Sequence, residues 1–77
     1  MPRIGEISGA LIKVYPNDHP PPHVHVIFQG VEVRLKITDG VEIGNVSHFP
    51  PRILRDARQW LLENAEKAAE KWGEYHP

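Results

Sequence analysis

Residues 31–37 alternate without a break: Val31, Val33, Leu35 and Ile37 fall on one side of an extended chain, and Glu32, Arg34 and Lys36 fall on the other. Such alternation predicts a half-buried strand. Just upstream, residues 23–29 place Val24, Val26 and Phe28 on one face and His23, His25 and Ile27 on the opposite one, a second strand with the same period. Gln29-Gly30 separates the two runs by the length of a tight hairpin, and Gly30 supplies the positive φ that such a turn needs at its second position. The turn predicts a register. Phe28 faces Val31, Val26 faces Val33 and Val24 faces Leu35, so the apolar sides coincide as burial requires. On the other side His25 lies across from Arg34, His23 from Lys36, and Ile27 from Glu32.

The remaining elements follow from the same reading. Ala10-Leu11-Ile12-Lys13-Val14-Tyr15 is rich enough in β-branched and aromatic residues for a strand over 10–15, and residues 1–8 read as a lead-in. A three-residue loop with Gly40 in the left-handed conformation pairs Ile37 with Val41 and Leu35 with Ile43, predicting a fourth strand over about 41–46. From Pro51 to Trp72 the period becomes helical. Leu54, Ala57, Leu61, Ala65, Ala68 and Trp72 form one stripe, widened by Ile53 and Trp60, with Pro51 at the first helical position and Gly73 as the stop. One helix of about 30 Å is long enough to lie across the sheet. The predicted fold is α+β, a four-stranded antiparallel meander with one C-terminal helix packed on one face, leaving the histidine face open.

Composition narrows this picture. Seventy-seven residues make one domain near the lower size for a self-sufficient core, so pairing with a second copy in a homodimer is expected to help. The chain has no cysteine, which excludes disulfides and every cysteine-ligated metal site. Nine Lys and Arg against ten Asp and Glu give a net charge of −1, so any attraction to nucleic acid must come from a local patch. The start, Met1-Pro2-Arg3-Ile4-Gly5-Glu6, has no apolar run of signal-peptide length and no later stretch is long enough to span a bilayer. A soluble cytoplasmic protein without membrane contact is the expectation.

Candidate chemistry concentrates in Asp18-His19-Pro20-Pro21-Pro22-His23-Val24-His25-Val26, which holds three of the five histidines. The prolines predict a stiff extended connection. His23 and His25, two apart on a strand, project to the same face about 6 to 7 Å apart along the axis. Arg52, Arg55 and Arg58 stand in the first turns of the helix, where the macrodipole disfavours cations, so either they form a solvated face or they meet an acidic partner or phosphates.

Several of these features together resemble one family. The opening Met-Pro-x-Ile, the block from Asn17-Asp18-His19 through Pro21-Pro22-His23-Val24-His25-Val26, the Pro51-Arg52 helix entry, and Trp60 and Trp72 are similar to the small bacterial family catalogued as domain of unknown function 4160. The resemblance covers essentially the whole chain. It implies a protein encoded beside another small protein, in a two-gene pair of the toxin–antitoxin kind, and it implies no reaction. The third consecutive proline, Pro20, and the end soon after Trp72 depart from the pattern.

Three readings of the histidine block stay open. In the first, the sheet face around His23 and His25 docks a small protein partner or a second copy, with Ile27 and Tyr15 adding apolar area and Arg34 and Lys36 adding charge. In the second, His23 and His25 act as general acid and base on RNA without any cofactor, while Lys13, Arg34 and Lys36, with Tyr15 and, further off, Arg52 and Arg55, bind phosphate. In the third, His19, His23, His25 and Asp18 hold a divalent metal such as zinc.

Overall fold

The computed structural model describes residues 3–16, 18–44 and 48–76. Five strands follow one another in chain order across a single antiparallel sheet: β1 (Arg3–Ile7), β2 (Ala10–Lys13), β3 (His23–Phe28), β4 (Val31–Lys36) and β5 (Glu42–Ile43). Two helices complete the α+β fold, α1 (Pro51–Glu63) and α2 (Ala65–Tyr75). The β3–β4 hairpin has the predicted register at all six positions, from Phe28 opposite Val31 to His23 opposite Lys36. Gln29 and Gly30 both have positive φ, 46° and 83°, as a two-residue turn matching the strand twist requires.

The sheet has one strand more than the four expected. Residues 3–7, read as part of a lead-in, pair with β2 through a second two-residue turn at Ser8-Gly9, again with positive φ at both positions (53° and 83°). Alternation hid this strand. The register shifts between Arg3 and Gly5, and this bulge breaks the period of two that marks the other strands.

The β4–β5 connection also differs from expectation. Gly40 has the expected left-handed φ of 73°, but the observed pairs are Arg34 with Ile43 and Leu35 with Glu42, one residue out from the predicted register. Ile37 explains the shift. Its N–H donates to Pro22 O at 3.0 Å, which draws it out of the ladder toward the proline loop, while Gly40 N–H donates to Lys36 O (2.8 Å) and Lys36 N–H to Val41 O (3.0 Å). The slip moves Ile43 to the side of the sheet that carries Arg34 and the histidines. The predicted end of this strand, residues 45 and 46, lies outside the described residues.

The expected single helix is two. Asn64 departs from helical angles (φ −125°, ψ 26°), its N–H is shared between Trp60 O and Leu61 O, and its side-chain amide donates to Trp60 O at 2.8 Å. An asparagine that competes for backbone carbonyls in this way interrupts a helix. The apolar stripe stays in phase across the break, so periodicity alone does not reveal it. Ile53, Ala57 and Leu61 are the buried positions of α1, with Leu54 half-buried, and Ala68 and Trp72 are those of α2. Gly73 lies inside α2 rather than ending it.

Ile12, Val14, Val24, Val26, Val33, Leu35 and Leu61 are the largest fully buried side chains. Each contributes about 1.5–3 kcal/mol by burial, against about 0–1 kcal/mol for a surface ion pair, so the contact between sheet and helix carries the fold. Gly5 is needed for close approach. A Cβ there would enter the Trp60 indole, 2.7 Å from Cε2 and 2.9 Å from Cη2. Gly5→Ala is therefore expected to destabilise by about 1–3 kcal/mol, and combining it with Trp60→Leu should cost less than the two changes summed. Denaturant midpoints of the four proteins check this; strict additivity would contradict the contact.

Ser8 Oγ–H donates to Asp56 Oδ2 at 2.7 Å and ties the β1–β2 turn to α1. This bond, with the pairing to Arg55 and the charge of Arg52, outweighs desolvation and lowers the Asp56 carboxyl below its ordinary value. A depressed carboxylate stabilises the fold above its unfolded-state pKa, and that contribution disappears as pH falls through the folded-state value. Ser8→Ala should therefore lower stability at neutral pH, and the gap from wild type should close in acid below the ordinary aspartate range. Unfolding curves at the two pH values are the measurement.

Candidate functional site

Because β3 and β4 share one register, His23 and His25 emerge on the face that also bears Glu32, Arg34 and Lys36. The β2–β3 pairing adds Lys13 opposite His25 and Leu11 opposite Ile27. The face is not open at its centre. His23 is 3% exposed and His25 8%, which corrects the expectation of two accessible imidazoles. Trp72 of α2 lies against His23 with ring centroids 5.1 Å apart, and Tyr15 meets His25 edge-on at 4.4 Å. The helical segment thus reaches the histidines instead of leaving them free. His76, expected in a frayed end, stacks on Trp72 at 3.8 Å, and its Nδ1–H donates to Trp72 O.

The proline segment brings the third member. The chain bends at Pro20 and Pro21, where a straight rod was expected, because its carbonyls are engaged: Pro22 O accepts from Ile37 and Pro21 O accepts from His23 Nδ1–H at 2.8 Å. The peptide bond between Pro20 and Pro21 is cis. Asp18, ahead of the bend, reaches back over β3 and places Oδ2 2.6 Å from His25 Nε2 and 3.3 Å from His23 Nε2. The 3.3 Å approach lacks hydrogen-bond alignment, so His23 Nε2 is a buried nitrogen without a partner among the described residues. On the far side of His25, Nδ1–H donates to Glu32 Oε2 in a short hydrogen bond.

The two imidazoles are therefore held in the same way. Each anchors Nδ1 on an acceptor, Pro21 O or the Glu32 carboxylate, and each aims Nε2 at one oxygen of Asp18. Anchoring the outer nitrogen fixes ring orientation and leaves the inner nitrogen as the ligand atom. Asp18, His23 and His25 each contribute one donor atom, and all three atoms lie within 4.8 Å of one another. Burial pushes the Asp18 carboxyl up, but the hydrogen bond from His25 and the electrostatic pull of the His25 and His23 rings outweigh it, and the net effect holds it below its ordinary value. Burial, together with the nearby Glu32 and Asp18 charges, raises the Tyr15 phenol, so it stays a neutral hydroxyl at physiological pH.

The other candidate residues fall into two groups. His19 is exposed and stands outside the three-donor group, although it lines the adjoining cleft with Asp18, His23 and Arg34. Lys36 bridges to Asp39 at 3.6 Å, which leaves it partly neutralised. The arginines of α1 are directed elsewhere: Arg55 pairs with Asp56, Arg52 adds charge near the same carboxylate, and Arg58 binds Gly40 O and Glu42. Glu32 was not among the residues expected at the site. It stands two positions from Arg34 on the same face, so it is a diagonal cross-strand neighbour of His25, a relation available once the register is known.

These contacts define a small α+β protein with a buried histidine–carboxylate centre on its sheet. Residues 9–73 match the family model described as Domain of unknown function 4160, and the chain belongs to that family. No curated protein and no solved structure matches it. Among the described residues, no helix is long and apolar enough to cross a membrane.

The anchoring pattern has a spectroscopic consequence. In metal-free protein, neutral His23 is expected as the Nδ1–H tautomer, with a proton-coupled Nδ1 and a pyridine-type Nε2 in long-range nitrogen–proton correlation spectra. A proton on Nε2 instead would show that Pro21 O does not orient the ring.

Proposed function

We propose that this protein binds a divalent transition metal, zinc or an ion of similar preference, through Asp18 Oδ2, His23 Nε2 and His25 Nε2. One observation carries this reading: two buried imidazoles, each anchored through Nδ1, point their inner nitrogens at a single carboxylate oxygen. Metal–ligand bonds of about 2.0–2.2 Å in tetrahedral geometry hold donor atoms roughly 3.3–3.5 Å apart. His23 Nε2 and Asp18 Oδ2 already stand at 3.3 Å, while His25 Nε2 and Asp18 Oδ2, at 2.6 Å, must open to admit the ion. Two imidazoles and one carboxylate suit zinc, and the same donor set holds mononuclear ferrous iron in other proteins. Three protein donors leave a coordination position open, which is the mark of a centre that binds or activates a ligand.

Charge favours an ion over the phosphodiester chemistry considered for the same histidines. Asp18 and Glu32 set two carboxylates against His25, so a phosphate approaching without a metal meets like charge. Burial of both rings also weighs against their being a docking surface; a protein partner would meet the rim of Lys13, Tyr15, Ile27 and Arg34.

Wild-type protein stripped with chelator and then dialysed against limiting zinc should retain one zinc per chain, measured by elemental analysis. Asp18→Asn, which preserves side-chain size, and the pair His23→Ala with His25→Ala should lose it while far-ultraviolet circular dichroism stays that of the folded chain. Glu32→Gln should weaken zinc by about 10–100-fold, because Glu32 orients a ligand without being one. A wild type that holds no zinc, cobalt or ferrous iron under these conditions would overturn the reading.

A further inference from the structure

Beside the three donors lies a cleft of about 110 Å³ lined by Asp18, His19, Pro20, Pro21, His23, Arg34 and Ile43. We propose that this cleft takes a small oxyanion, the carboxylate or phosphoryl group of a ligand, with one oxygen on the open metal position and the others on the Arg34 guanidinium. The proposal rests on the metal reading above and adds the ligand class.

Three features support it. The first is size. Pockets for drug-sized ligands run about 300–1,000 Å³, so this cleft admits a terminal group or a small ion and excludes a whole nucleotide. The second is position. Arg34 stands opposite His25 in the β3–β4 ladder and also lines the cleft that Asp18 and His23 enter, so a cation and the metal donors border one small volume. Gly44 leaves room for it: a Cβ there would lie 3.4 Å from an Arg34 terminal nitrogen. Arg34 is exposed, and among the described residues no carboxylate pairs with it, whereas Lys36 and Arg58 are engaged by Asp39 and Glu42. A planar guanidinium binds carboxylate or phosphate oxygens in a two-point fork.

The third feature is charge. Without a metal, the Asp18 carboxylate lines the cleft and the Glu32 carboxylate stands behind His25, and both oppose an anion there. A divalent ion cancels the two carboxylates and leaves Arg34 uncompensated, so an anion then completes the site. Anion binding should therefore be stronger with the metal than without it. The one-residue slip of β5 contributes an apolar wall, since it turns Ile43 toward this cleft and so lowers the local dielectric around the ion and the guanidinium.

The test uses full-length protein loaded with cobalt, whose visible absorption reports the ligands on the ion. Inorganic phosphate and acetate are titrated separately into wild type, Arg34→Gln and Arg34→Lys, and cobalt affinity is measured for each. The expected result is a saturable spectral change in wild type with at least one of the two anions, weakened roughly tenfold or more in Arg34→Gln and less in Arg34→Lys, with cobalt affinity unchanged. The anion that binds more tightly identifies the class. If cobalt binds and neither anion alters its spectrum, or if Arg34→Gln behaves as wild type, the oxyanion proposal is wrong and the metal reading survives. If cobalt does not bind at all, both fall together.

Discussion

The register of the β3–β4 hairpin is the constraint on which the candidate site depends. Side chains on a strand alternate with period two, so a slip of one residue would turn Val24 and Val26 outward and bury His23 and His25 against the helix. The Gln29-Gly30 turn prevents this by permitting one phase, and burial of four apolar side chains, Val24, Val26, Val33 and Leu35, enforces it. Both imidazoles, Glu32 and Arg34 then follow without any further specification. The site needs one element from outside the hairpin, the Asp18 carboxylate, and the proline loop delivers it because its carbonyls are tied to His23 and Ile37.

Much of this was legible in the residues. The hairpin register, the α+β class, proline at the start of the helix and the left-handed Gly40 all come from local rules that act within a few residues. What was not legible depends on competition between distant groups. Strand β1 is irregular in its own sequence and becomes a strand because β2 offers an edge and Trp60 covers Gly5. The shift of β5 arises from one hydrogen bond between Ile37 and Pro22, which lie fifteen positions apart and are linked by nothing in the alternation. At Asn64 the polar side chain interrupts the helix while the apolar stripe continues past it in phase.

The site shows the same division. That His23 and His25 share a face with Arg34 and Lys36 follows from pairing alone, and two cationic side chains on that face by themselves disfavour a metal ion there. The carboxylates reverse the argument. Asp18 comes from a loop whose path the sequence did not specify, and Glu32 reaches diagonally past the nearest cross-strand position. Long, flexible acidic side chains escape a reading based on directly opposed pairs, although they dominate the potential once two of them converge on one ring. The C-terminal helix was likewise expected to stay on the opposite face, yet Trp72 closes over His23.

Asp18, His23 and His25 all fall within residues 18–25, so an ion joining them would close only a short loop of chain. The entropy recovered by such closure grows with the logarithm of loop length and is small here. In zinc fingers the donors come from separated elements and the chain unfolds when the ion leaves. Here the core between sheet and helices is built from residues other than the donors, so an ion bound at such a centre would add stability by linkage without being required for the fold. A cell could therefore empty and refill such a centre as its metal supply changes, with the polypeptide intact throughout.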